Sequence, residues 1–238
     1  MRSIVLVHGS WFGAWCWSSV AARLREDGWD VHTPDLPAHG EDRTPVAEAT
    51  LDAYAGRVID RLDRLAEPAV LVGHSMAGVV LSTVAERRPQ RVKKLVYLAA
   101  YLAADGQSIF QLATTDGASA LGPHLRPDEK AGVIAVAPEG FAAALVSGAS
   151  PADVERARSA ARPDPLAPLA TPVHVTPERF GRVPRVYLQT QEDRAVSTDL
   201  QARMLAATPT ETLPFPGGHS PFLTHPAELA RALAAAAA

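Results

Sequence analysis

The stretch Ala69-Val70-Leu71-Val72-Gly73-His74-Ser75-Met76-Ala77-Gly78-Val79-Val80-Leu81 decides the fold. Ala69 to Val72 is a continuous apolar run, the pattern of a strand buried on both faces of a parallel sheet. From Met76 onward the pattern turns helical, and glycines bracket the single serine at the junction. A nucleophile elbow is built this way. Small neighbours let the backbone fold sharply, so the Ser75 hydroxyl is held at the mouth of the sheet. The amide of Met76, at the start of the new helix, is then free to donate to an oxyanion. One departure from the G-x-S-x-G pattern stands out: the residue two after the serine is Ala77, and Gly78 follows it. Alanine is the smallest side chain that can take that place. The competing account is a Gly-Ser turn before an ordinary helix.

Working outward, strands and helices alternate. Ile4 to Val7 is a first apolar strand, and His8 to Ala14 follows as a glycine-punctuated loop. Trp15 to Glu26 shows helical spacing, with Trp17, Val20, Ala21 and Leu24 on one face and Gly28 at its end. Asp30 to Thr33 is a short strand, and Leu51 to Leu65 is amphipathic. Beyond the elbow, Pro89 stops the helix and Val92 to Leu98 is another strand. This alternation predicts an α/β protein with a doubly wound, mostly parallel sheet of about six strands. It breaks after Leu102. Residues 103–182 show no strand pattern, many prolines, and helical patches at Phe141 to Val146 and Ala152 to Ala161. A structureless loop of that length is implausible, so a helical cap inserted after the strand 92–98 is expected over the sheet's C-terminal edge. The alternation resumes with Val186 to Gln189, Thr198 to Ala207, Thr212 to Phe215 and Pro226 to Ala235. Residues 1–102 and 183–238 thus make the expected core, and 103–182 the cap. The alanine run Ala234 to Ala238 reads as a fraying helix end.

Composition narrows the class. The chain has 238 residues, 47% hydrophobic and 21% charged, which suits one α/β domain with an inserted subdomain. A formal net charge of -3 leaves no electrostatic footprint for nucleic acid or an anionic membrane. The lone Cys16 excludes an intramolecular disulfide and a cysteine zinc cluster. Met1-Arg2-Ser3 leads straight into the first strand, so no signal peptide is expected, and no apolar run is long enough to span a bilayer. A cytoplasmic location is the default expectation.

A serine at neutral pH needs a positioned base. Among the eight histidines, His219 follows a strand and the flexible pair Gly217-Gly218. It therefore lies at a C-terminal strand end, the edge where Ser75 also lies and where open α/β sheets bind ligands. His225 precedes Pro226 and starts the final helix. The base needs a carboxylate to fix its tautomer. Asp193 follows the strand 186–189, and Asp105 follows the strand 92–98; both satisfy the order Ser, Asp, His. Asp193 is preferred, with Glu192 a solvated charge and Asp105 a turn or hinge residue. The second oxyanion donor, beside the Met76 amide, is expected from Ser10, whose loop leaves the first strand with glycine support. His8 is expected to fix that loop. Trp15 and Trp17 are expected to be core. Trp11, Phe12, Met76, Tyr101, Phe110, Phe141 and Phe222 are the candidate pocket walls.

With those residues in place the chain resembles the α/β-hydrolases, and more narrowly the group containing plant methyl-ester esterases, such as the methyl salicylate esterase, and the hydroxynitrile lyases. The likeness rests on Val5-Leu6-Val7-His8-Gly9-Ser10-Trp11, Gly13-Ala14-Trp15-Cys16-Trp17, Thr33-Pro34-Asp35-Leu36, Val72-Gly73-His74-Ser75-Met76, Glu178-Arg179-Phe180-Gly181, Arg185-Val186-Tyr187 and Gly218-His219. It implies an enzyme with no metal and no cofactor, a helical cap over a mostly apolar pocket, and Asp193 as the acid. The cap matches poorly before about Ala157, and the cap shapes the pocket that selects the substrate. In the hydroxynitrile lyases a lysine follows the base histidine and a threonine follows the first-strand histidine; Ser220 and Gly9 stand there in this chain. The expected function is hydrolysis of a small, largely apolar carboxylic ester by Ser75, His219 and Asp193 through an acyl-enzyme. Its partner is a small molecule, and a homodimer is left open. A lyase or cyclase using the triad for proton transfer, or a slow-turnover ligand receptor, are the alternatives on this fold.

Overall fold

A computed structural model describes residues 2–237. Nine strands follow in chain order: β1 (Ser3–Val7), β2 (Asp30–His32), β3 (Ala69–His74), β4 (Val92–Leu98), β5 (Leu125–Asp128), β6 (Val133–Val136), β7 (Asp164–Pro165), β8 (Arg185–Thr190) and β9 (Glu211–Phe215). Six of them form one parallel sheet in the order β2-β1-β3-β4-β8-β9. The central strand β3 is buried at every position, as its unbroken apolar run requires. Helix α1 (Ser18–Glu26) packs on the last helix, Pro226–Ala236, while α2 (Leu51–Asp63) packs on α3 (Ala77–Arg87). The chain leaves β1 toward β2 on one side, yet β3 and β4 extend the sheet on the other. The order therefore reverses between β1 and β3, the place where such sheets open a crevice for ligands. Val7 pairs with Gly73 across that boundary, which brings the His8-Gly9-Ser10 loop against the Ser75 turn.

Three readings of the sequence need correction. Residues 103–182 hold short helices, at Ile109–Ala113, Pro151–Ala160 and Leu166–Ala170, but also a small antiparallel sheet, β5-β6-β7. Its strands escaped the pattern because β5 is mostly exposed and contains Pro127, and β7 is two residues long. Second, the helix expected from Trp15 begins as a 3-10 turn, Ala14–Trp17, before α1. Third, the C-terminal alanines do not fray: Ala236 and Ala237 are buried, and Ala238 lies outside the described residues.

The inserted residues are fastened to the sheet by polar bonds. Trp11 Nε1 donates to the Ile134 carbonyl (2.8 Å), and Ser220 Oγ donates to the Leu145 carbonyl (2.6 Å). His39, in the loop after β2, meets Asp164 of β7 at 2.6 Å, both fully buried. The Ala120 amide donates to the Arg194 carbonyl and Ser119 Oγ to the Ala195 carbonyl, each at 2.8 Å.

Candidate active site

Ser75 occupies the turn between β3 and α3 with φ of 53°, a left-handed conformation that costs a side chain of this kind on the order of 1–3 kcal/mol. The surroundings hold it there. Its amide donates to the Leu98 carbonyl (3.2 Å), and its carbonyl accepts from the Gly78 and Tyr101 amides (both 3.0 Å). Gly78 is required by close approach: a Cβ there would collide with the Tyr101 carbonyl. Ala77 fits fully buried at the position where the motif has glycine. The shift of glycine by one residue thus marks where α3 touches the chain beyond β4. Gly9 is constrained in the same way, since a Cβ would stand 2.8 Å from both His74 Nδ1 and Ser75 Cβ. Neither the Ser10 nor the Met76 amide is taken by another backbone group among the described residues.

His219 is buried, and its Nδ1 bonds to Asp193 Oδ2 at 2.9 Å. Asp193 is itself surrounded by donors. The Ala195 and Val196 amides reach Oδ1 at 2.9 Å, while Thr190 Oγ1 (2.9 Å) and Gln201 Nε2 (3.3 Å) reach Oδ2. Such a set holds the carboxylate in place and fixes the orientation of the imidazole. His74 Nε2 donates to the His219 carbonyl (2.8 Å), which pins the loop. Burial, reinforced by the neighbouring His219, drives the His74 pKa well below the usual histidine range. His8 is neutral as well: burial and the nearby His39 push its pKa down to about 3. Its Nε2 accepts from the Leu36 amide (3.1 Å) and its Nδ1 donates to the Gly9 carbonyl (2.9 Å), so it fixes the loop that carries Ser10.

Ser10, Ser75 and His219 line one cavity of about 110 Å³. Among the described residues no hydrogen bond joins Ser75 Oγ to His219; contacts of this kind often tighten only when substrate is bound. The walls are mostly apolar. Trp11, Tyr101 and Phe110 line the cavity. Three other aromatics do not, and this is a correction. Phe12 and Phe222 pack on each other at 5.5 Å and on His74, forming the floor beneath the site. Phe141 faces a separate groove with Pro138, Arg158 and Arg162. The Met76 side chain is buried away from the cavity, leaving only its amide for the site. Asp105 is exposed and accepts from the Val175 amide (3.0 Å), far in role from His219. Glu192 and Arg194 are exposed.

Ile109, Leu121, Ile134, Leu169 and Asp116 are among the further wall residues and were not singled out from sequence. One local signal was available: Ser108 and Gln111 form a capping box that starts the helix Ile109–Ala113. Nothing in periodicity reveals that its residues face Ser75.

The architecture and the site together define a class. Residues 4–232 match the model of the alpha/beta hydrolase family, and the chain belongs to that family. A provisionally named chloroplastic methylesterase 14 of Arabidopsis thaliana is 33% identical, across 98% of this chain and 71% of its own. Methyl jasmonate esterase 1 of Vitis vinifera is 31% identical, across 96% of this chain and 94% of its own. The crystal structure of polyneuridine aldehyde esterase has the same fold, with a TM-score of 0.87 at 22% identity, across 99% of this chain and 98% of that one.

Proposed function

We propose that this protein is a serine esterase that hydrolyses small, largely apolar carboxylic esters with a compact leaving alcohol. The observation that carries the reading is Ser75, held at positive φ in an apolar cavity that it shares with His219, whose far nitrogen bonds to the buried Asp193. Ser75 Oγ attacks the ester carbonyl while His219 Nε2 takes its proton. The oxyanion is received by the amides of Ser10 and Met76. Collapse breaks the bond to the leaving oxygen, and the departing alkoxide takes from His219 the proton that came from Ser75. Water, deprotonated by His219, then attacks the acyl carbonyl; the second adduct collapses to the acid, and His219 passes that proton to the departing Ser75 Oγ. The cavity is on the scale of the ~150 Å³ apolar cavities that take up benzene, so it favours an acyl group of about one ring. Relatives named for methyl esters support the compact alcohol.

Hydrolysis is favoured over cyanohydrin cleavage by what surrounds His219. Ser220 is buried and donates to the Leu145 carbonyl, and no lysine or arginine lines the cavity among the described residues. A leaving cyanide would find no fixed cation there. The test is labelling with a fluorophosphonate, with a panel of methyl and aryl esters. Ser75 is expected to be the single labelled site, and Ser75→Ala to lose the label and about three or more decades of kcat. Labelling elsewhere, or an active Ser75→Ala, overturns the assignment.

A further inference from the structure

The cavity shared by Ser75 and His219 has a carboxylate in its wall. Asp116 lines it and is 8% exposed, while no lysine or arginine lines it among the described residues. Ser197 donates to Asp116 through its amide (2.9 Å to Oδ2) and its hydroxyl (to Oδ1). Both donors are neutral dipoles, so they hold the carboxylate without cancelling its charge. Arg203 reaches the neighbouring Thr115, donating to its carbonyl (3.0 Å) and hydroxyl (3.2 Å), but it is exposed and water screens it. Asp193 is bonded to His219 and does not line the cavity. The field of Asp116 reaches another wall. Burial first, then the negative charges of Asp116 and Asp193, hold the Tyr101 phenol above its usual pKa.

A fixed negative charge treats the two ends of an ester hydrolysis differently. The ester enters neutral and meets no repulsion. The acid, once formed, gives its proton to water at neutral pH and becomes a carboxylate. Beside Ser75 that carboxylate faces Asp116 inside a cavity of about 110 Å³. At an effective dielectric of about 20, like unit charges about 8–10 Å apart change a binding constant by about fifteen- to thirty-fold. The tetrahedral intermediate is spared most of this cost. Its oxyanion forms together with the His219 imidazolium, and that pair is neutral overall. The ionised product beside a neutral His219 has no such partner.

We propose that Asp116 is a specificity-determining residue that discriminates against carboxylates. It admits neutral esters, speeds the departure of the acid product, and refuses esters whose acyl part carries a second carboxylate. This rests on the esterase reading, and it sets that reading apart from a receptor that retains an acid.

The experiment compares wild type with Asp116→Asn at about pH 8, where an ordinary histidine is neutral. Asparagine keeps the size of the side chain and can still accept from the Ser197 amide. Inhibition constants are measured for phenylacetate and for phenylacetamide, its neutral isostere, against turnover of a methyl ester. Relative to the amide, phenylacetate should bind about fifteen- to thirty-fold more tightly to Asp116→Asn than to wild type. The preference in kcat/KM for dimethyl over monomethyl succinate should shrink by a similar factor. Each ratio is taken within one protein, so partial loss of folded enzyme cancels, and Asp116→Ser serves as a second neutral variant. Ser197→Ala removes a bond to Asp116 but leaves its charge, and should keep the wild-type ratios. Three results overturn the proposal: ratios in the neutral variants within about two-fold of wild type, ratios that move as far in Ser197→Ala, or a wild type that binds phenylacetate more tightly than phenylacetamide. If Ser75 is labelled and esters are cleaved while one of these results appears, this inference alone falls. If no ester is cleaved and Ser75 is not labelled, the esterase reading falls and takes this one with it.

Discussion

Asp193 and Asp105 stand in similar loops after adjacent strands, yet their surroundings differ completely. Asp193 is buried with five donors around it, including His219, whereas Asp105 is exposed beside the Val175 amide. Asp193→Asn is therefore expected to cut kcat by on the order of 10⁴ with modest change in KM, because the imidazole takes the wrong tautomer. Asp105→Asn should leave kcat within a few-fold; steady-state kinetics on a methyl ester gives the ranking. His8 makes a stability prediction. Its folded pKa of about 3 lies below the unfolded value, so below about pH 6.5 the unfolded chain gains a proton that the native protein refuses. Stability from neutral His8 is present at pH 7 and falls as pH drops. In denaturant titrations, the advantage of wild type over His8→Gln should shrink by about 2 kcal/mol between pH 7 and pH 5. The candidate reacting residues were legible from sequence because each sits at a strand end beside a glycine or a turn. The walls were not. Phe12 and Phe222 look like pocket aromatics in a string of letters, and only packing turns them toward His74 and the floor.

At the scale of elements, the turn before α3 depends on how closely that helix approaches the chain after β4. Gly78 is the contact point, lying against the Tyr101 carbonyl. Gly78→Ala should cost about 1–3 kcal/mol or more, since backbone on the far side has to move, and should depress kcat with it because Tyr101 N and Ser75 O are bonded. Thermal melting and ester turnover measured on the same preparation test both. The reverse result, a Gly78→Ala enzyme as stable as wild type, would mean the helix has room that the geometry denies. The long elements were readable because periodicity needs length: β3, α2 and the helix Thr198–Ala207 all fall close to where the sequence put them. The small sheet β5-β6-β7 was not: β6 is an apolar run, Val133–Val136, but its partners are the exposed, Pro-containing β5 and the two-residue β7, which carry too few repeats to tell a strand from a loop.

For the molecule as a whole, the alternation of strands and helices was enough to state the sheet, and the order β2-β1-β3-β4-β8-β9 explains why the reacting loops meet at one edge. What the alternation does not carry is the shape of the cavity, which comes from the segment between β4 and β8. Cyanide release from mandelonitrile or acetone cyanohydrin should stay at the buffer rate while methyl esters are turned over. Release well above that rate, abolished by Ser75→Ala, would make the protein a lyase. The bonds that fasten this segment have a further bearing on how such proteins diversify. Ala120, Ser119 and Asp116 grip residues 194–197, next to the acid, and Leu145 grips Ser220, next to the base. On the proposed reading, the segment that walls the cavity thus also braces the loops that hold Asp193 and His219, and exchanging it whole would call for matching loops at 194–197 and 220.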